Sequence, residues 1–259
     1  MAYAINDLHE LYKSKGTKAV AAFSQRSPSW VRWFFKKHNL QMRSSGPRSN
    51  KVDETYFEKI NTPAKAYFLG LLAADGCVSL KRNAIKLSLK NEDAYILEYF
   101  REEINASNRV LVHGSHSRIE FSSLKMKSDL AKLGIVPQKT YALTWPKLQN
   151  KFYSHYIRGF IDGDGCWYIR KRKECIDTVG VSVGCVSFNF LNEMQTQLTH
   201  SCGVRPFTPR KIKIQSGNDF YSIRYPGNNL SKKIAKYVYP KNMGKFYMTR
   251  KYNICATKT

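Results

Sequence analysis

The sequence predicts an α+β fold in which two pseudo-symmetric αββαββα half-domains, residues 53–148 and 149–259, join their sheets into a saddle behind a small helix-turn-helix-like region at 1–48. Three observations predict it. First, Gly70-Leu71-Leu72-Ala73-Ala74-Asp75-Gly76-Cys77 is echoed by Gly159-Phe160-Ile161-Asp162-Gly163-Asp164-Gly165-Cys166 at an offset of 89 residues. A long period present twice indicates a duplicated domain rather than a solenoid. Second, strand-like runs follow each copy, Val78-Ser79-Leu80-Lys81-Arg82 and Trp167-Tyr168-Ile169-Arg170-Lys171. Third, residues 11–52 contain no Asp or Glu yet carry ten Lys or Arg.

The N-terminal region reads as three short helices. Leu8, Leu11 and Tyr12 recur at helical spacing. Thr17 is the expected cap of a second helix carrying Val20, Ala21 and Phe23. Ser27-Pro28 reads as an N-cap followed by proline at the first helical position, opening a helix with Trp30, Val31, Trp33, Phe34 and Phe35. Arg32, Lys36 and Lys37 make that helix basic, as in a DNA-reading helix. The breaker-rich Ser44-Ser45-Gly46-Pro47-Arg48-Ser49-Asn50 is the expected linker, ending near Val52.

Each half then reads helix, two strands, helix, two strands, helix. Ala84 to Lys90 alternates like a half-buried strand. Ala94 to Phe100 has helical spacing, and Arg109–His113 and Arg118–Phe121 flank a turn at Gly114-Ser115. In the second half Phe207–Ile214 and Phe220–Tyr225 form the long hairpin. Leu130-Ala131-Lys132-Leu133 before Pro137 and Ile234-Ala235-Lys236-Tyr237 before Pro240 close the halves alike.

The repeated motif carries the chemistry. Gly70 and Ala74, like Gly159 and Gly163, lie four residues apart on one helix face. Mid-helix glycine costs about 1 kcal/mol against alanine, so close backbone approach is the expected return. Packing these faces together brings Asp75 and Asp164 side by side at helix C-termini, where the dipole and mutual repulsion both disfavour them. Gly76 and Gly165 are expected in the left-handed conformation that stops a helix. Divalent cations make the placement sensible: hard carboxylate oxygens favour Mg²⁺, Mn²⁺ or Ca²⁺, and a metal beside a phosphodiester activates water.

Charge points to the partner. The formal net charge is +24, from 43 Lys and Arg against 19 Asp and Glu, with 13% aromatic residues. A folded body that cationic needs a dense anion, and nucleic acid has the matching charge density. No apolar run reaches the ~18 residues of a membrane span, and Met1 to Asp7 lacks a signal-peptide pattern. The six cysteines, Cys77, Cys166, Cys175, Cys185, Cys202 and Cys255, form no C-x-x-C pair. A zinc site and a disulfide framework are therefore not expected; an intracellular, reducing compartment is. Gly163-Asp164-Gly165 ends a helix instead of opening one, which rejects a dinucleotide site.

Strands that alternate faces can offer DNA one polar row. The candidates are Lys81, Arg82, Lys86, Ser88, Lys90 and Arg118 in the first half. In the second they are Arg170, Arg172, Arg205, Arg210, Lys211, Lys213 and Arg224. Such ribbons can enter the major groove, where arginine and lysine read guanine.

The paired segments resemble the motif of the LAGLIDADG homing endonucleases in their single-chain, two-motif form. Tyr56-Phe57-Glu58-Lys59-Ile60-Asn61-Thr62, Gly134-Ile135-Val136-Pro137-Gln138-Lys139-Thr140 and Arg250-Lys251-Tyr252 frame them similarly, so the resemblance runs from about Asp53 to the C-terminus. It implies a monomeric, metal-dependent endodeoxyribonuclease that cuts both strands of a long, partly asymmetric duplex across the minor groove. Asp75 and Asp164 would hold the metal, with Ala74 and Gly163 beside them. Mg²⁺ is the implied ion, Mn²⁺ a substitute, and Ca²⁺ a support for binding without cleavage. Lys139 and Lys251 would border the site as catalytic partners, Lys245 and Lys241 being alternatives to the latter. Gly70, Ala73, Gly159 and Asp162 would form the helix interface, with Asp162 where the first copy has Ala73. The polar residue usual on the second strand is poorly matched by Leu89 and Lys90 or by Gly184 and Cys185. The implied setting is a bacterial or phage-infected cytoplasm, or an organelle. An RNA maturase and a non-cleaving DNA-binding regulator are the alternatives on this fold.

Overall fold

In the computed structural model, residues 5–42, 51–171, 176–213 and 219–256 are described. The expected linker at 43–50, Arg172, Cys175 and the hairpin tip at 214–218 lie outside them. The chain divides into two units, Met1–Ser49 and Asn50–Thr259.

The first unit is three helices, α1 (Ile5–Lys15), α2 (Thr17–Ser24) and α3 (Pro28–Lys37). Leu8, Tyr12, Val20, Ala21, Val31 and Phe35 form its core, with Tyr12 and Phe35 edge-to-face at 4.8 Å. Ser27 caps α3 by accepting from the Trp30 amide at 3.1 Å. Thr17 does not cap α2. Gly16, at φ 80°, takes that place, and Thr17 is the first helical residue. Phe23 and Trp33 are exposed rather than core, and Arg32, Lys36 and Lys37 are exposed beside Trp33.

The second unit repeats one plan. Its first half runs α4 (Pro63–Asp75), β1 (Gly76–Val78), β2 (Ala84–Lys90), α5 (Ala94–Glu103), β3 (Leu111–His113), β4 (His116–Ser122), α6 (Leu124–Lys132) and the single turn α7 (Lys139–Ala142). Its second half runs α8 (Asn150–Asp164), β5 (Gly165–Arg170), β6 (Thr178–Cys185), α9 (Phe188–Cys202), β7 (Arg210–Lys213), β8 (Asp219–Tyr225), α10 (Asn228–Val238) and α11 (Thr249–Ala256). The sheets are antiparallel with matching orders, β1-β2-β4-β3 and β5-β6-β8-β7. Gly76 opposes Leu87, and Gly165 opposes Val183, so the register of the opening strands is repeated as well.

Alternation sets which face is covered. Ile85, Leu87, Leu89, Ile119 and Phe121 point inward in one sheet, and Val179, Val181, Val183, Ile223 and Tyr225 in the other. The helices bury these rows, and the opposite face of each sheet stays open. Strand β1 is shorter than expected, so Lys81 and Arg82 fall in the exposed turn before β2. No helix among the described residues is long and apolar enough to cross a membrane.

Candidate active site and nucleic-acid interface

The site begins with the packing of α4 on α8. Thr62 accepts from the Lys65 amide at 3.2 Å and starts α4, with Pro63 at the first position. A Cβ placed on Gly70 would lie 2.0 Å from the Tyr156 carbonyl oxygen, and one on Gly159 would lie 2.0 Å from that of Tyr67. Only glycine permits this approach. Ala73 and Asp162 are buried in the same contact zone. At the helix ends, a Cβ on Gly163 would lie 2.3 Å from Ala74 Cβ and 3.0 Å from Asp75 Oδ2. Asp75 and Asp164 therefore end the two packed helices close enough for the charge of Asp164 to bear on Asp75.

Gly76 and Gly165 end the helices differently from expectation. Both are extended, at φ −72° and −84°, and each opens a strand. Their lack of a side chain serves proximity: a Cβ on Gly76 would meet the Leu72 carbonyl oxygen at 2.4 Å, and one on Gly165 the Ile161 Cα at 2.7 Å. The chain thus turns from helix into strand immediately behind each aspartate.

Burial pushes Asp75 up to about 6, and the neighbouring Asp164 charge adds to the shift while Lys251 and Lys139 oppose it. Burial likewise raises Asp164, against the pull of Lys139 and Lys251. Lys139 donates to the Ala74 carbonyl at the end of α4. Lys251 donates to the Ile161, Asp162, Gly163 and Gly165 carbonyls at the end of α8. Each lysine supplies the positive charge that a helix C-terminus favours. Burial lowers both amines, and the nearby aspartates act to raise them. Lys245 pairs with Glu102 instead, at 3.1 Å.

A cavity of about 340 Å³ opens beside Lys139 and Asp164, lined also by Ala74, Gly184, Cys185 and Phe220. Gly184 makes room for the Phe220 ring, which a Cβ there would meet at 2.5 Å. Cys185 thus stands near the acids in the second half, where a polar strand residue was poorly matched.

The donor set suits a hard cation. No group of three or more His, Cys, Asp or Glu side chains is assembled for a metal among the described residues. What the site offers is two carboxylates and the carbonyls of Ala74 and Gly163, each of which has a second lone pair beyond its lysine bond. That few-ligand oxygen set fits a hard divalent cation that keeps several of its waters.

Register sorts the cationic candidates. Lys86 opposes Glu120, Ser88 opposes Arg118 and Lys90 opposes His116, all on the open face of the first sheet. Arg170, Arg224 and Arg210 share the open face of the second sheet with Tyr168 and Ser222. Lys211 and Lys213 do not: they oppose Tyr221 and Asp219 in the other row, and Lys211 pairs with Asp219 at 2.7 Å. Adjacent strand residues face opposite ways, so one row cannot hold all four hairpin cations. Arg205 is exposed in the loop before β7.

Sequence reasoning missed a buried polar cluster behind the site. Arg158 and Asp162 are both 0% exposed. Arg158 donates to the Phe246 and Val238 carbonyls at 2.8 and 2.9 Å and to His155 Nδ1 at 2.9 Å. Asp162 accepts from the Tyr67 hydroxyl at 2.9 Å and the Met248 amide at 2.8 Å. The signal available was an arginine at the place where the first copy has Leu69.

These features define a class: a duplicated α+β chain with one acidic site where two glycine-packed helices end, and an open antiparallel sheet on each half. No family model matches the chain, and no curated protein matches it. Solved structures do. The LAGLIDADG meganuclease I-AabMI, bound to uncleaved DNA, aligns over 76% of this chain and 90% of its own, with TM-score 0.53 and 9% identity. The I-LtrWI LAGLIDADG homing endonuclease, bound to target DNA, aligns over 77% and 87%, with TM-score 0.46 and 12% identity. I-GzeII, a LAGLIDADG homing endonuclease in complex with a DNA target, aligns over 74% and 87%, with TM-score 0.48 and 12% identity. The first of these carries the assignment: the chain has the two-half-domain LAGLIDADG homing endonuclease fold.

Proposed function

We propose that the protein is a monomeric, site-specific homing endonuclease that binds a long, partly asymmetric DNA duplex and hydrolyses both strands. The observation that carries this reading is the meeting of Asp75 and Asp164 at the ends of glycine-packed helices, each end closed by a lysine. Burial and the helix C-termini both disfavour the charged forms of the two carboxylates, so their placement costs stability. Asp75 and Asp164, with the Ala74 and Gly163 carbonyls, would hold divalent ions. A bound divalent cation supplies an activated water and charge neutralisation at the leaving oxygen. The side chains on the open faces, Lys86, Ser88, Lys90 and Arg118 with Arg170, Arg210 and Arg224, would track phosphates and read base edges. The exposed Arg32, Lys36 and Lys37 of α3 would extend the contact beyond the second unit.

The test is a duplex selected from a randomised pool by binding in Ca²⁺, then incubated with Mg²⁺. The expected result is double-strand cleavage by the wild type, with Asp75→Asn and Asp164→Asn binding but not cutting. Wild-type-like cleavage by either variant refutes the assignment. Selection of RNA over duplex DNA would favour a maturase, and tight duplex binding without cleavage would favour a regulator.

A further inference from the structure

The first unit carries a cationic face that its own packing leaves open. It holds nine Lys or Arg against Asp7 and Glu10. Both acids lie on α1, where Glu10 pairs with Lys13 at 2.7 Å. Helix α3 packs inward through Val31 and Phe35. Ser29, Arg32, Trp33 and Lys36 stand at i, i+3, i+4 and i+7 on its other side, and all four are exposed. Trp33 is 54% exposed, with the Lys37 ammonium 5.0 Å from its ring centre. Helix α2 meets α3 through a short turn in which Gln25 is left-handed, at φ 53°. Two helices joined by a short turn and packed on a third follow the helix-turn-helix plan, whose second helix lies in a major groove. A helix that lies on a membrane keeps its cations and its apolar side chains on opposite faces. Here Trp33 shares a face with Arg32 and Lys36, and the apolar face is already covered. A duplex suits that mixture: cations meet phosphates and guanine edges, and an apolar ring meets a thymine methyl.

The second unit fixes where the tether to this reader begins. Its first sheet starts at the acidic site, since Gly76, directly after Asp75, pairs with Leu87. The strands run from there to the turn at 79–83, and Ala84 pairs with Ser122 at the far end. The entering chain is fastened to that far end. Glu54 accepts from the Ser123 hydroxyl at 2.5 Å, and the Ser123 amide donates to the Asn83 carbonyl at 3.0 Å. The Lys51 amide donates to the Ser107 hydroxyl at 3.0 Å, and the Asn108 side chain donates to the Glu120 carbonyl at 2.7 Å. In the first unit the chain is held as far as Gln41, whose carbonyl accepts from His9 Nε2 at 2.9 Å. From Gln41 to Lys51 the chain reaches at most about 35 Å, the length of roughly ten base pairs.

We propose that the first unit is a separate major-groove reader that lengthens the recognised duplex on one side only, past the outer end of the stretch covered by the first sheet. Arg32, Trp33 and Lys36 are its base-reading side chains. The added base pairs lie within about ten of that outer end, the limit of the tether. This deepens the endonuclease reading above and rests on it for the path of the duplex along the sheets. Two footholds on one duplex make the second contact intramolecular, which raises affinity with no new contact in the sheets.

The test is selection of duplexes from a randomised pool in Ca²⁺ by the full-length chain and four variants, read by sequencing. The wild type should select a main site and a separate block of specified base pairs beyond one of its ends. Arg32→Ala and Trp33→Ala should each lose specification within the block and keep the main site. Both side chains are exposed, and unchanged melting temperatures check that the unit stays folded. Lys86→Ala should relax the half of the main site next to the block, and Arg224→Ala the half away from it. In fluorescence anisotropy, scrambling the block should weaken wild-type binding by about 10- to 100-fold, the worth of one arginine–guanine contact, and should weaken Arg32→Ala far less. A main site with no block, a block at both ends, or a block beyond the half that Arg224→Ala relaxes overturns the proposal. Capture of phosphatidylserine vesicles or single-stranded RNA through Trp33, in place of any block, overturns it too. The readout is binding, so the two readings fail separately. A main site and block that are bound but never cut remove the endonuclease and keep the reader. A main site that is cut but has no block removes the reader alone, and selection of no duplex removes both.

Discussion

Replacing Asp75 by Asn should stabilise the protein in the absence of metal. Asp75 is pushed from 3.8 to about 6, first by burial and then by Asp164, with Lys251 and Lys139 only partly compensating. A shift of that size corresponds to about 3 kcal/mol of penalty on the ionised form. Asparagine keeps the shape and sheds the charge but still buries a polar group, so a gain of about 2 kcal/mol is expected. For a unit of this size that is a rise in melting temperature of roughly 4–8 °C. The sign follows from linkage. A folded-state value above the unfolded one means the folded protein holds the extra proton between pH 3.8 and about 6. The wild type therefore loses stability as pH rises through that window. The advantage of Asp75→Asn should be full above pH 6 and vanish near pH 4. Asp162, also raised to about 6 by burial, titrates in both proteins and cancels in the difference. The assay is thermal unfolding of both proteins in EDTA across pH 4–8, repeated with Mg²⁺. Added Mg²⁺ should raise the wild type more than the variant, because a ligand of the folded state stabilises by mass action. A variant that melts below the wild type at pH 7.5 in EDTA would refute the idea that these carboxylates are held together at a cost.

Four further outcomes follow from the geometry. Gly70→Ala or Gly159→Ala should destabilise by about 3 kcal/mol or more in urea unfolding, since each new Cβ would lie 2.0 Å from a carbonyl oxygen of the facing helix. Wild-type midpoints would show that the helices can part freely. Cys77 and Cys166, exposed one strand position beyond Gly76 and Gly165, should react with maleimide in the free protein and be shielded by bound duplex, as read by mass spectrometry. Equal labelling with and without DNA would remove them from the binding face. Glu120→Gln, which removes the acid opposite Lys86 on the open face, should tighten duplex binding in fluorescence anisotropy at low salt and steepen its salt dependence. Deleting Met1–Ser49 should leave the second unit folded, with its own core, and weaken duplex affinity. Unchanged affinity and salt slope would assign α1–α3 no part in binding.

What could be read in the sequence was what steric exclusion had written there. Gly70, Gly159 and Gly163 stand where any side chain would collide with the facing helix, and the duplication announced both copies at once. The alternation of Lys86, Ser88 and Lys90 likewise located one open face, because a pleated strand allows no other reading. The hairpin cations failed by the same rule: consecutive Arg210 and Lys211 cannot share a row, and only the register with Tyr221 and Ser222 decides which of them faces out. Gly76 and Gly165 were legible as obligatory glycines but not in their reason. A glycine after a helix is most often left-handed, whereas here backbone proximity to Leu72 and Ile161 imposes it. The Arg158–Asp162 clamp was least legible, since its partners are backbone groups 88 and 86 residues away that carry no side-chain signature. Its trace was a broken echo. Where a duplicated sequence keeps glycine and aspartate but exchanges Leu69 for Arg158 and Ala73 for Asp162, the retained positions carry the shared chemistry. The exchanged ones mark where the halves were free to diverge in how that chemistry is held.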